Sequence, residues 1–148
     1  MIKFNITTPE RVLLDEEVDS VTLPTEMGEI TVLNNHLPLV ANMTPGEIRY
    51  KQNGVEKFFA VSGGFIEVKK DNQIVVLADT AESGHEIDEK RAEEARVKAQ
   101  NLMKEGYKDE KTYASAAASL EKHLARLRVA RKHRTHTSRN LESGVLHE

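Results

Sequence analysis

The chain has 148 residues, 39% of them hydrophobic and 30% charged, a balance that suits one ordinary domain or two small ones that fold and stay in solution. It has no cysteine and no tryptophan, which excludes disulfides, thiol catalysis and cysteine-based metal sites. The net charge of −3 is unevenly spread: residues 1–86 hold 7 Lys/Arg against 14 Asp/Glu, residues 87–120 hold 7 of each, and residues 121–139 hold 7 basic against 1 acidic. An acidic body with a basic end can be steered toward two different partner surfaces.

The N-terminus, MIKFNITTPE, lacks the apolar stretch of a signal peptide. The longest apolar run, IVVLA at 74–78, is far too short to span a bilayer. Work at a membrane would therefore go through a partner, without direct insertion.

The first 84 residues read as strands. FNI at 4–6, SVTL at 20–23, EITVL at 29–33, EIRYK, KFFAVS, FIEVK and QIVVLA follow one another at short intervals. Breakers separate them: Pro24 to Gly28, Pro45-Gly46, Asn53-Gly54, Gly63-Gly64 and Asp71-Asn72. Asn53-Gly54 is a two-residue hairpin signal. Many short strands with regular turns predict a β-sandwich, or flattened barrel, of about ten strands.

After Gly84 the period changes. DEKRAEEARVKAQNLMKE is made of helix formers without proline; Asp88 is placed to cap it, and Gly106 to end it. Ala92, Ala95, Ala99 and Leu102 recur at helical spacing. In the next stretch, KTYASAAASLEKHLARLRVARKH, Tyr113, Ala116, Ala117, Leu120, Leu124 and Leu127 share a face. Two helices joined by a short loop form an αα-hairpin, and the class is α+β. Alanine-rich faces bury little area, so this hairpin should be only marginally stable by itself. The expected organisation is a sandwich over 1–84, a hairpin over 85–133 and a loose tail over 134–148.

Five stretches, in order, carry a resemblance. GEITVLNNHLPLV at 28–40 is similar to a G-E-x-x-x-L-x-x-H-x-P-L loop, VSGGFIEV at 61–68 to a strand–glycine–strand element, and VLADTAE at 76–82 to the end of a sandwich; IDEKRA at 87–92 matches an I/L-D-x-x-R-A motif, and ARLRVA at 125–130 a second-helix signature. Together they resemble the epsilon subunit of bacterial F-type ATP synthases over roughly residues 1–133. The loop departs from the family at Thr31, where glycine is usual, and at Asn34-Asn35, where proline and then glycine or asparagine are usual. Asparagine tolerates left-handed turns, so the fold is not affected.

The resemblance implies a non-catalytic subunit of the central stalk, peripheral on the cytoplasmic face of the bacterial membrane. Its sandwich would clamp the gamma subunit and sit on the c-ring, with Glu29 meeting the ring's polar loops; a solvated turn acid is the plainer account of Glu29. His36 reads as a turn residue, and the chain shows no metal-ligand cluster. The hairpin would be regulatory, lying against the sandwich or extending along gamma into the alpha/beta hexamer, where its basic second helix would meet acidic beta segments and block hydrolysis. No cofactor is required. ATP is implied as a regulatory ligand at Glu82, Ile87, Asp88, Arg91 and Ala92, with Lys98, Lys122 and Arg126 facing phosphates. Two of those three are lysines, which lack the planar fork of arginine. Asp88 is equally an ordinary N-cap, and Arg91 equally its helical neighbour's partner. No glycine-rich P-loop is present, so bound ATP would be a signal and not a substrate.

Three other readings stand beside this one. A nucleic-acid binder would need a broad basic surface, which the acidic sandwich opposes. A small β-sandwich enzyme has no diagnostic spacing to support it. A purely structural rotor clamp keeps the family and drops nucleotide sensing.

Overall fold

A computed structural model of the chain describes the backbone of residues 1–105 and 109–142, and the side chains of these as far as residue 135. The described residues form ten strands: β1 (Ile2–Thr7), β2 (Val12–Val18), β3 (Ser20–Thr25), β4 (Gly28–Val32), β5 (Leu39–Met43), β6 (Gly46–Gln52), β7 (Val55–Val61), β8 (Gly64–Lys69), β9 (Gln73–Ala78) and β10 (Ala81–Ser83). A 3-10 turn, Gly84–Glu86, leads into α1 (Glu89–Glu105) and α2 (Glu110–Glu142).

The strands follow the order β10-β7-β6-β3-β5-β8-β9-β1-β2, with β4 paired to β3. Every pairing is antiparallel except β1 with β9. The sheet curls until its far edge nears its middle, and Gln52 at the end of β6 donates to the Glu17 carbonyl of β2 at 3.1 Å. The result is the expected sandwich, a nearly closed barrel. Its interior holds Ile2, Phe4, Ile6, Val18, Val21, Leu23, Ile48, Ile66, Ile74 and Val76, each no more than 1% exposed. Phe4 meets Tyr50 edge-on and Tyr50 stacks on Phe59, with centroids 5.5 and 6.1 Å apart. Burial, with the nearby Glu16 carboxylate, pushes the Tyr50 hydroxyl up to about 12.

The turns follow their residue chemistry. Asn53 and Gly54 both have positive φ, 52° and 77°, as a two-residue turn matched to strand twist requires. Asn35 takes φ 63° at the loop position where the family pattern has glycine or asparagine. β2, β5 and β10 lie outside the segments that alternation picked out. β2 carries Asp15, Glu16 and Glu17 in succession, and β10 has three residues, so neither shows a clean period.

α1 begins as Asp88 suggests: its carboxylate accepts the Arg91 N–H at 3.2 Å. At the start of α2, Asp109 accepts the Lys111 N–H at 3.1 Å and the Thr112 hydroxyl at 2.8 Å. The proposed stop at Gly106 lies outside the described residues. The second helix, expected to end near residue 133, runs on to Glu142. Neither proline nor glycine interrupts RTHTSRNLE, so no local signal ends it earlier.

Candidate functional site: the seam between hairpin and sandwich

α2 lies on β6, β7, β10 and the 3-10 turn, with α1 outside it. The reason is written in β7, where Phe58, Phe59, Ala60 and Val61 are all buried. Phe59 and Val61 face the barrel core, while Phe58 and Ala60 face outward and form a second cluster with Val129 of α2 and, at its edge, Ile87. A strand buried on both faces reads as a continuous apolar run and not as an alternation, which KFFAV is.

Register turns this contact into a lock. Glu82 of β10, Ala60 of β7 and Glu47 of β6 are directly opposite one another across three strands. Arg126, Val129 and Lys132 lie three residues apart along one stripe of α2. Three residues of α-helix rise about 4.5 Å, close to the spacing of about 4.8 Å between strands. The helix therefore crosses the row with one residue per strand. Arg126 meets Glu82, Val129 meets the Phe58–Ala60 surface, and Lys132 pairs with Glu47. Lys132 also lies over the Phe58 ring, 5.3 Å from its centroid.

The two ion pairs differ. Arg126 Nη2 donates to Glu82 Oε2 at 3.2 Å, and Arg126 Nε lies 2.8 Å from Oε1. The N–H of Nε is not directed at that oxygen, so this buried donor has no hydrogen-bond partner. Arg126 Nη1 lies 3.0 Å from His123 Nδ1. Burial, and then the positive charges of Arg126 and Lys122, hold the His123 imidazole below its usual value, against the opposing pull of Glu82. Glu47 is only 9% exposed and sits between Lys132 and Arg49, whose Nη1 is 3.8 Å away. Arg49 also reaches Glu29 Oε1 at 3.0 Å. Beyond the acidic row, Gly84 admits the end of the seam: a Cβ there would lie 2.4 Å from His133 Cβ and 3.3 Å from the Val129 carbonyl.

The residues implied for nucleotide do not gather in one place. Glu82, Arg126 and Ile87 are at the seam. Lys122 and Glu82 line a neighbouring recess of about 260 Å³ with Arg11, Asp79 and Thr80. Asp88 and Arg91 pair with each other at 3.6 Å on an exposed surface. Ala92 is fully buried. Lys98 lines a separate groove of about 630 Å³ between the two helices, with His123 and Lys111. Glu47 escaped sequence reading altogether, and Lys132 entered it only as one charge of the basic stretch 121–139. Glu47 is a lone acid two residues from Arg49 on a strand, and its burial arises only when α2 covers it.

Residues 1–84 match the family model described as the ATP synthase delta/epsilon chain, beta-sandwich domain, and residues 85–131 match the model for its long alpha-helix domain. The chain belongs to the ATP synthase delta/epsilon family. Members of this family are non-catalytic stalk subunits of the synthase. The chain is 44% identical to the ATP synthase epsilon chain of Herpetosiphon aurantiacus over 133 residues, 90% of this chain and 96% of that one. It is also 44% identical to the epsilon chain of Chloroflexus aggregans, covering 90% and 94% of the two. Among solved structures, it is similar to a chain of the Euglena gracilis mitochondrial ATP synthase in an assembly of OSCP, F1 and c-ring. The TM-score is 0.74 at 25% identity, over 84% of this chain and 78% of that one. A chain of the Tetrahymena thermophila mitochondrial ATP synthase central stalk and c-ring shares the fold, with TM-score 0.50 at 18% identity, over 62% and 69%. Among the described residues no helix of this epsilon-type chain is long and apolar enough to cross a membrane. No group of three His, Asp or Glu side chains there could hold a metal ion.

Proposed function

We propose that the chain is a rotor subunit, peripheral on the cytoplasmic face of the membrane, whose sandwich joins gamma to the c-ring and whose hairpin is a detachable inhibitor of ATP hydrolysis. The observation that carries this is the thinness of the seam. A small apolar patch and two largely buried ion pairs hold the hairpin on the sandwich. The attraction in each pair is offset by the cost of desolvating its ions, and the patch adds only about 2–3 kcal/mol by buried area. Seated and released states therefore differ by little, as a switch requires.

The partner surfaces follow. Phe65 and Leu77 are exposed on the paired strands β8 and β9, with Val40 on β5 to one side and Val12 on β2, beyond β1, to the other, an apolar face suited to gamma. Glu29 is exposed on β4 and suited to a polar loop of the ring. Arg128 and Arg131, exposed on α2, are the charges a released helix would bring to acidic segments of the hexamer.

Removing everything after Glu86 is the direct test. The complex carrying the truncated chain is expected to hydrolyse ATP several-fold faster than the intact complex. Equal rates would leave a structural rotor clamp, the second reading of this family.

ATP is proposed as the ligand that favours the seated state. Its support is Arg126, whose buried Nε–H is unmet at the seam, paired with Glu82, which also lines the recess of Lys122. The lysine-for-arginine positions supply charge without the fork geometry, and Lys98 lies in a different groove, so weak binding is expected. Calorimetric titration of the isolated chain should give saturable binding that an Arg91→Ala, Arg126→Ala double variant loses. Absence of heat up to millimolar ATP would leave IDEKRA as a helix start.

A further inference from the structure

We propose that Glu47 couples the seating of α2 to the state of Glu29, with Arg49 as the shared cation. The inference rests on the reading that α2 detaches and that Glu29 faces a partner. Four charged groups form one line: Lys132 of α2, Glu47 and Arg49 of β6, and Glu29 of β4. The side chains become progressively more exposed from Glu47 (10%) through Arg49 (32%) to Glu29 (54%).

The physical requirement comes from Glu47. A carboxylate this buried needs a cation beside it. With α2 seated, Lys132 supplies one, and Arg49 leans to Glu29, 3.0 Å away, while Glu47 stays at 3.8 Å. Glu47 Oε2 meanwhile lacks a hydrogen-bond partner. When α2 lifts, Lys132 leaves with it. Glu47 is then uncovered as well, so Arg49 is drawn to it by charge attraction alone. With its competitor Lys132 gone, Arg49 is shared between Glu47 and Glu29 instead of leaning to Glu29. Glu29 is then held less firmly, as an exposed acid near the start of β4. Linkage makes the effect reciprocal. A cationic or hydrogen-bond-donating partner that captures Glu29 releases Arg49 to Glu47, weakens the hold on Lys132 and favours lifting of the helix. The foot of the subunit and its hairpin thus sense one another across the outer face of the sheet.

Isolated full-length chain suffices for the test. Hydrogen-exchange protection of α2 amides between residues 120 and 132 reports seating. Glu29→Gln leaves Arg49 to Glu47 and is expected to lower that protection about three- to tenfold, the size of coupling between neighbouring charges. In a Glu47→Gln background the same change at Glu29 should do nothing, and in an Arg49→Gln background likewise. The second background leaves the buried acid untouched, so a folding defect in Glu47→Gln cannot mask the result. A Glu29→Gln effect that persists in both backgrounds, or that is absent from the otherwise native chain, overturns the coupling. Failure of the truncation test in the whole complex would instead remove the inhibitory role and leave this coupling standing, because it is read without the complex.

Discussion

Gly64→Ala is expected to lower the melting temperature of the sandwich by about 15–30 °C, with a stability loss of about 3–5 kcal/mol from combined strain and overlap. Gly64 opens β8 at φ 140°, a backbone region that side chains rarely enter. An added Cβ would sit 2.0 Å from the Leu77 carbonyl oxygen and 3.0 Å from Ala78 Cα. Both are backbone atoms of β9, paired to β8 in register from Gly64↔Ala78 to Lys69↔Gln73. Nothing flexible is available to yield, so the ladder itself must open. Thermal unfolding followed by circular dichroism checks this; a shift of only a few degrees would mean that the two strands separate more easily than this register allows.

The second large effect concerns the switch and leaves the barrel intact. Gly84→Ala is expected to unseat α2, reducing hydrogen-exchange protection of its amides about ten- to a hundredfold, in line with the usual cost of overpacking. The new methyl would press on His133 Cβ and Cγ at 2.4 and 2.9 Å and on the Val129 carbonyl at 3.3 Å. Because the obstacle includes the backbone of α2, a change of rotamer does not relieve it. The helix must move outward, and Arg126, Val129 and Lys132 leave their strand positions together. The melting temperature of the sandwich should change little, since the barrel core is formed by other residues. Protection equal to that of the native chain would show that the helix can shift along the row without releasing it. In the complex, the same variant separates the two family readings: a regulatory hairpin alters hydrolysis and a structural clamp does not.

The two glycines differ in how far the sequence exposes their roles. Gly63-Gly64 reads as a break between two strands, and its positive φ follows from that alone. Gly84 reads as the end of one pattern and the start of another. Its actual constraint is His133, 49 positions later, and nothing in the local sequence points there. The hairpin shows the same limit. One face of α2, with Ala116, Leu124 and Leu127, is legible from helical spacing, because small and apolar residues recur along it every three or four positions. The other face is not, because it alternates charge with small apolar residues and looks like a solvated surface. Arg126, Val129 and Lys132 gain meaning only against strands β10, β7 and β6.

The sequence by itself determined the strands that alternate, the turns whose residues need left-handed backbone, the change from a two-residue to a helical period near Gly84, and the family. These are local properties, set by side-chain direction and backbone sterics within a few residues. Tertiary structure alone decided where the hairpin rests, which acids become buried and which cations satisfy them. The row Glu82–Ala60–Glu47 joins residues up to 35 positions apart through strand register, and α2 reads that row because helix rise and strand spacing are nearly equal. Such a match is a property of two packed surfaces, and no stretch of the chain carries it alone.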